Sequence, residues 1–203
     1  MRPLSESLLS DEDRRALLAR ARQAISETVS SLTLPDLPLV VGRLAAPGAA
    51  FVTLRWNGKL RGCIGCSDAT HGLAETVAQC AITAAMWDPR FEPLCVEEMA
   101  RLEIEISVLS ELLPVQPEQI LLGIHGICVS RGSNRGLLLP QVALEHNWSL
   151  EQFLEAACRK ARLGAGAWRD TKTRLCTFTA EVFSDPDLLP TSGKQAVKAY
   201  GLV

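Results

Sequence analysis

No excess of charge of either sign marks this sequence. Its 21 lysines and arginines stand against 23 aspartates and glutamates, a formal net charge of −2 with a pI near 6.0. A phosphate backbone or an anionic membrane surface selects for clustered cations, so neither nucleic acid nor membrane is an expected partner. Long apolar runs are missing as well. No stretch approaches the roughly 20 apolar residues of a membrane span. The opening MRPLSESLLSDEDRR holds no continuous apolar segment of signal-peptide length, and the expected setting is the cytoplasm. Internal repeats, low-complexity tracts and clear linkers are also lacking, which leaves 203 residues to form one large domain or two small lobes. At 47% hydrophobic residues a sizeable core is expected. Seven cysteines, an odd number scattered through apolar contexts, fit a reducing compartment and imply no disulfide framework.

What is present begins with a helix. After Ser10, acids fill a first turn, and Leu17, Leu18, Ala21, Ile25 and Val29 recur at helical spacing. The prolines of LPDLPLV end it. A second helical pattern runs from about Thr70 to Trp87, with small residues on its apolar stripe, until Asp88-Pro89 stops it. SLEQFLEAACRKARLG opens on a Ser149 to Gln152 capping box. Between these lie strands. RLEIEISVLS alternates apolar and polar residues, GIHGICVS and GLLLPQVAL read as a hairpin joined by RGSNRG, and TRLCTFTAEVFS reads as one last strand turning Cys176, Phe178, Ala180 and Val182 to one side. Hairpins interspersed with helices of unequal length predict an α+β fold with a mixed or antiparallel sheet and flanking helices.

The chemistry concentrates in FVTLRWNGKLRGCIGC. Asn57-Gly58 supplies the two positive-φ positions of a tight hairpin. With a two-residue loop, Leu54 lies opposite Arg61 and Val52 opposite Cys63, and Lys59, Arg61 and Cys63 share one face. A thiolate is favoured near cations or a helix N-terminus, and both are close in sequence here, so Cys63 is a candidate nucleophile with Arg61 beside it. The alternative is a small residue in a tightly packed hairpin. Cys63 and Cys66 also have C-x-x-C spacing. No second pair and no spaced histidines complete a set of four ligands, so neither a metal nor any other cofactor is expected.

Other candidates are more ordinary. His125, between glycines, is a general base or a hydrogen-bonded structural residue. Glu103 and Glu105 are solvated strand residues or, if their face lines a cleft, bases or partners of Arg61. Arg131 and Arg135 in RGSNRG offer guanidinium donors to an anion, or simply cap a hairpin tip.

Taken in order, LRGCIG, WDPRFEPL, LEIEISVLS, GIHGICV, RGLLLPQVA and the capped helix ending near AW resemble the AMMECR family from about Phe51 to Phe183. Cys66 departs from the family pattern, in which other small or polar residues are usual. The resemblance implies a single domain over 10–186, divisible into two unequal lobes around a cleft lined by LRGCIG, with 1–9 and 187–203 as terminal segments. It also implies partners: a Memo-like protein, whose fold resembles non-haem-iron extradiol dioxygenases, and a radical SAM protein. Two functions follow as expectations. One is a subunit that handles a small-molecule or protein substrate, with Cys63 attacking, Arg61 holding an anion, and His125 or a glutamate moving protons. The other is an adaptor that presents the same cleft to a protein partner.

Overall fold

A computed structural model describes residues 9–36 and 38–185. The terminal segments, apart from Leu9, lie outside the described residues. In chain order the main elements are α1 (Asp11–Ser31), β1 (Ala49–Trp56), β2 (Lys59–Cys66), α2 (Leu73–Met86), β3 (Leu102–Leu109), β4 (Leu113–Pro114), β5 (Gly126–Arg131), β6 (Asn134–Leu138), α3 (Pro140–Glu145), α4 (Leu150–Lys160), β7 (Arg174–Phe178) and β8 (Ala180–Ser184). The fold is α+β, with two antiparallel four-stranded sheets ordered β2-β1-β3-β8 and β4-β7-β5-β6.

Local chemistry fixes the helix starts. Ser10 accepts the Asp13 N–H at 3.1 Å, and the Asp13 carboxylate accepts the Ser10 N–H at 2.9 Å. Ser149 and Gln152 make the same reciprocal pair for α4. The predicted stripe of α1 is buried, and with α2 it covers one face of the first sheet, formed by Ala50, Val52, Leu54, Ile104, Ile106, Val108 and Phe183. α4 covers the second sheet through Phe153, Leu154 and Ala157. A smaller cluster of Ala49, Leu109, Cys128, Leu137 and Phe178, with Phe51 and Ala180 against it, joins the two sheets.

Three departures from the sequence reading have simple causes. TRLCTFTAEVFS is two strands, because the chain leaves the second sheet after Phe178 and joins the first at Ala180. Its alternation survives the crossing, with Cys176, Phe178 and Ala180 in the joining cluster. GLLLPQVAL divides at its proline: β6 ends at Leu138, and Pro140 opens α3 at a position where its missing N–H costs nothing. The hairpin turn forms as expected, with φ of 50° at Asn57 and 73° at Gly58. Its register then shifts by one residue, so that Arg55 faces Leu60 while Leu54 faces Gly62 and Thr53 faces Cys63. Arg61 is the extra residue of a β-bulge.

Gly62 explains the bulge. A Cβ there would lie 2.2 Å from the Ala84 carbonyl oxygen of α2, so the residue turned toward the helix must be glycine. Continuing the unshifted alternation from the turn would have directed Arg61 into that contact. Gly62→Ala is expected to cost about 1–3 kcal/mol in urea unfolding. Gly164→Ala, with nothing within 4 Å, should stay within about 0.5 kcal/mol of wild type; equal effects at the two sites would refute the packing account.

Candidate functional site

The bulge divides the LRGCIG side chains. Gly62, Ile64 and Cys66 sit with the core-facing residues of β1, whereas Cys63 pairs with Thr53 and Thr53 with Glu105 on the opposite face. Gly65 on that face leaves room for the Phe51 ring, which would lie 2.0 Å from an added Cβ. β2 is an edge strand, and both backbone groups of Cys63 are satisfied from outside the sheet. The Asp88 carboxylate accepts its N–H at 2.9 Å, and Arg90 Nη2 donates to its carbonyl at 3.0 Å. Asp88 also accepts from the Arg90 N–H, Nε and Nη2 at 3.1, 2.9 and 2.6 Å, with its side chain only 1% exposed. The Arg90 guanidinium, with the Cys63 and Arg90 amides, outweighs burial and holds the Asp88 carboxyl far below the usual carboxylate range.

The half-buried Cys63 thiol accepts a hydrogen bond from the Thr53 hydroxyl at 3.3 Å. Two cations reach it from other parts of the chain. Arg90 interacts with the Cys63 side chain as well as with its carbonyl. Lys160, in the last turn of α4, lies within electrostatic reach of Cys63 and Arg90. Partial desolvation holds the Lys160 ammonium below its ordinary value; Cys63 opposes that shift and Arg90 adds to it. These replace the influences anticipated from sequence. Lys59 pairs with Trp56, on the helix-facing parity of β1, and Arg61 is bulged away. The C-terminal end of α2 approaches β2, through Ala84, so the N-terminal dipole is not the one near Cys63.

The remaining candidates are placed as follows. Arg61 makes a two-point pair with Glu98, Nε to Oε1 at 2.7 Å and Nη2 to Oε2 at 2.9 Å, and donates to the Glu92 and Pro93 carbonyls. Glu105 shares the Cys63 face, and Glu103, opposite Arg55, is exposed there. The His125 ring accepts the Leu121 N–H through Nδ1 at 3.1 Å and so closes its own turn. Arg131 bonds Thr173, the Ala167 carbonyl and Asp170. Arg135 donates to the Cys128 sulfur at 3.3 Å and pairs with Asp68, which ties β6 to the segment after β2. Among the described residues no group of three or more His, Cys, Asp or Glu is arranged to hold a metal, and no helix is long and apolar enough to cross a membrane. A hollow of about 630 Å³ near Trp168 and another of about 550 Å³ beside Glu103 do not include Cys63.

Sequence reasoning missed Thr53 and Lys160 and read Asp88-Pro89-Arg90 as structural, with Asp88 serving the turn and Arg90 free to pair with an acid. The Asp-Pro-Arg run after a helix was a visible signal, because an arginine two residues beyond an aspartate can close on it. Nothing local marked Lys160, which reads as an ordinary cation at a helix C-terminus.

The AMMECR1 family model matches residues 18–183. The chain belongs to the AMMECR1 family. A protein of Methanothermobacter thermautotrophicus is 40% identical over 188 residues, spanning 87% of this chain and 96% of its own. PH0010 of Pyrococcus horikoshii is 40% identical over 192 residues, spanning 87% and 92%. The crystal structure of PH0010 matches with a TM-score of 0.76 and 37% identity, covering 83% of this chain and 89% of that one. LRGCIG and WDPRFEPL, two of the motifs that carried the resemblance, meet in this AMMECR1-family chain at the Cys63 backbone.

Because the folded-state value of Asp88 is depressed, its contribution to stability is complete above the unfolded-state value of about 3.9 and is lost as pH falls below it. Asp88→Asn is expected to lower stability by about 1.5–3 kcal/mol at neutral pH. The gap to wild type, followed by chemical denaturation, should close as the buffer is taken below about pH 4; a gap constant across that range would mean that the carboxylate charge is not what holds the edge.

Proposed function

We propose that this chain is a cytosolic subunit that handles an electrophilic substrate through the Cys63 thiol, in a cleft between the two sheets, together with a Memo-like protein and a radical SAM protein. The partnership rests on the family resemblance, and the compartment on seven free cysteines. The observation that carries the thiol reading is the setting of Cys63. Its backbone is held by Asp88 and Arg90, while its side chain is half-buried on the face away from the helices, with the Thr53 hydroxyl on the sulfur and Arg90 and Lys160 around it. Cations beside a sulfur favour the attacking thiolate over the thiol. In this role Cys63 forms the bond to the electrophilic centre, Thr53 steadies the sulfur, and Glu105 on the same face is the carboxylate available for proton transfer. Arg61, committed to Glu98, fixes the bulge.

An adaptor reading is favoured by a different observation. Leu60 on the β1–β2 hairpin and Trp87 at the end of α2, the helix packed on that hairpin, are 42% and 58% exposed. Cys63→Ser would leave complex formation with the purified Memo-like and radical SAM proteins of the same organism intact under that reading, and a chain that forms no complex with either would end the proposed partnership.

Cys95 is the internal control for reactivity. It is fully exposed, yet the neighbouring Glu97 and Glu98 raise its thiol above the ordinary value, whereas burial pushes Cys80 up to about 11. Under iodoacetamide near neutral pH, read by peptide mass spectrometry, Cys63 is expected to alkylate faster than Cys95 despite being less exposed, and Cys80 slowest. If the rates merely follow exposure, with Cys95 ahead of Cys63, the nucleophile assignment fails.

A further inference from the structure

Arg61 cannot hold an anion for Cys63, since its Nε, Nη1 and Nη2 are all turned to Glu98 and the Glu92 and Pro93 carbonyls. Of the carboxylates around the thiol, Glu105 shares its face and two others are already paired. Asp88 is neutralised by Arg90, and Asp68, in the segment after β2, by Arg135. Lys160 faces the same region, and among the described residues no carboxylate pairs with it. Its place is fixed by backbone packing. α4 lies so close on β6 that a Cβ at Gly136 would meet the Ala161 nitrogen at 2.4 Å and the Lys160 carbonyl carbon at 2.9 Å, while neighbouring Arg135 bonds Asp68 and the Ser67 carbonyl beyond β2. The end of α4 is thus anchored at the edge of the second sheet that adjoins the Cys63 strand. Arg90 spends Nε and Nη2 on Asp88 and the Cys63 carbonyl, and its guanidinium also interacts with the Cys63 side chain.

We infer that Lys160, with the Arg90 guanidinium, forms an anion subsite beside the Cys63 thiol, so that the substrate carries a carboxylate or phosphate close to its electrophilic centre. This rests on the thiol reading above and names the substrate class. An oxyanion between Lys160 and Arg90 complements the Lys160 ammonium, which no carboxylate pairs with among the described residues. The two functional groups then come from different halves of the fold, Cys63 from the first sheet and Lys160 from the helix on the second.

The test compares anionic iodoacetate with neutral iodoacetamide. In each reaction the Cys63 sulfur bonds to the CH₂ carbon and iodide leaves with the C–I electron pair, so the ratio of the two rate constants reads the local field. Lys160→Met, which keeps an unbranched side chain, is expected to lower the iodoacetate to iodoacetamide ratio at Cys63 about three- to tenfold, the scale of one partly screened charge, and Lys160→Arg to preserve most of it. If iodoacetamide still selects Cys63 but the ratio is the same in wild type and Lys160→Met, the anion subsite is overturned and the thiol reading stands. If Cys63 is inert to both reagents, the thiol reading falls, and the subsite is judged in the Cys63→Ser protein from backbone amide shifts of Gly62 and Arg90 on adding malonate. Shifts that vanish when Lys160→Met is added support it; no shift, or shifts indifferent to that change, overturn it.

Discussion

A buried carboxylate at a sheet edge is the constraint on which the site depends. An edge strand leaves alternate N–H and C=O groups without a neighbour, and in a half-buried position those groups must be satisfied. At Cys63 the work of a fifth strand is done by Asp88 and Arg90: the carboxylate takes the N–H and the guanidinium gives to the carbonyl. Neither would serve alone, because a 1% exposed carboxylate without a cation carries a large desolvation penalty. The two conditions together tie the backbone of Cys63, the ionisation of Asp88 and the position of Arg90 into one unit. Arg61 with Glu98 holds the bulge immediately before it, so the strand carrying the thiol is clamped on both sides of the Gly62 contact with α2.

What was legible in the sequence follows the range of the interactions. The Asn57-Gly58 turn, the Ser10 cap, the Ser149 to Gln152 capping box and the buried stripe of α1 are specified within a few residues, and all formed where the local rules put them. The bulge was not legible from period-two alternation, because alternation assumes that nothing beyond the sheet cares which residue is turned inward. The Ala84 carbonyl cares, and Gly62 was its trace. Likewise, the faces of TRLCTFTAEVFS were readable, since the alternation is continuous, while its hydrogen-bonding partners were not, since one half pairs with β5 and the other with β3.

The candidate site was legible only in its centre. Cys63 stood out as a thiol among glycines next to cations, but the cations that adjoin it are Arg90 and Lys160, brought there by tertiary structure. The local ones, Lys59 and Arg61, are removed by a one-residue shift of register. His125 is the opposite case: of its two sequence readings, a general base or a hydrogen-bonded structural residue, the structure shows a ring whose Nδ1 closes a turn through Gly123.

A site divided between two sheets also inherits a dependence on how the sheets meet. The apolar cluster of Ala49, Leu109, Cys128, Leu137 and Phe178 holds them at one end, with Phe51 seated over Gly65 and Phe178 over Gly126 in place of the missing side chains. Arg135 adds a polar link, donating to the Cys128 sulfur within its own sheet and to Asp68 beyond β2. Lys160 projects from the helix packed directly on the strand that carries Arg135. The charge it delivers to Cys63 therefore depends on the same junction that joins the two halves, the apolar cluster and the Arg135 to Asp68 link together.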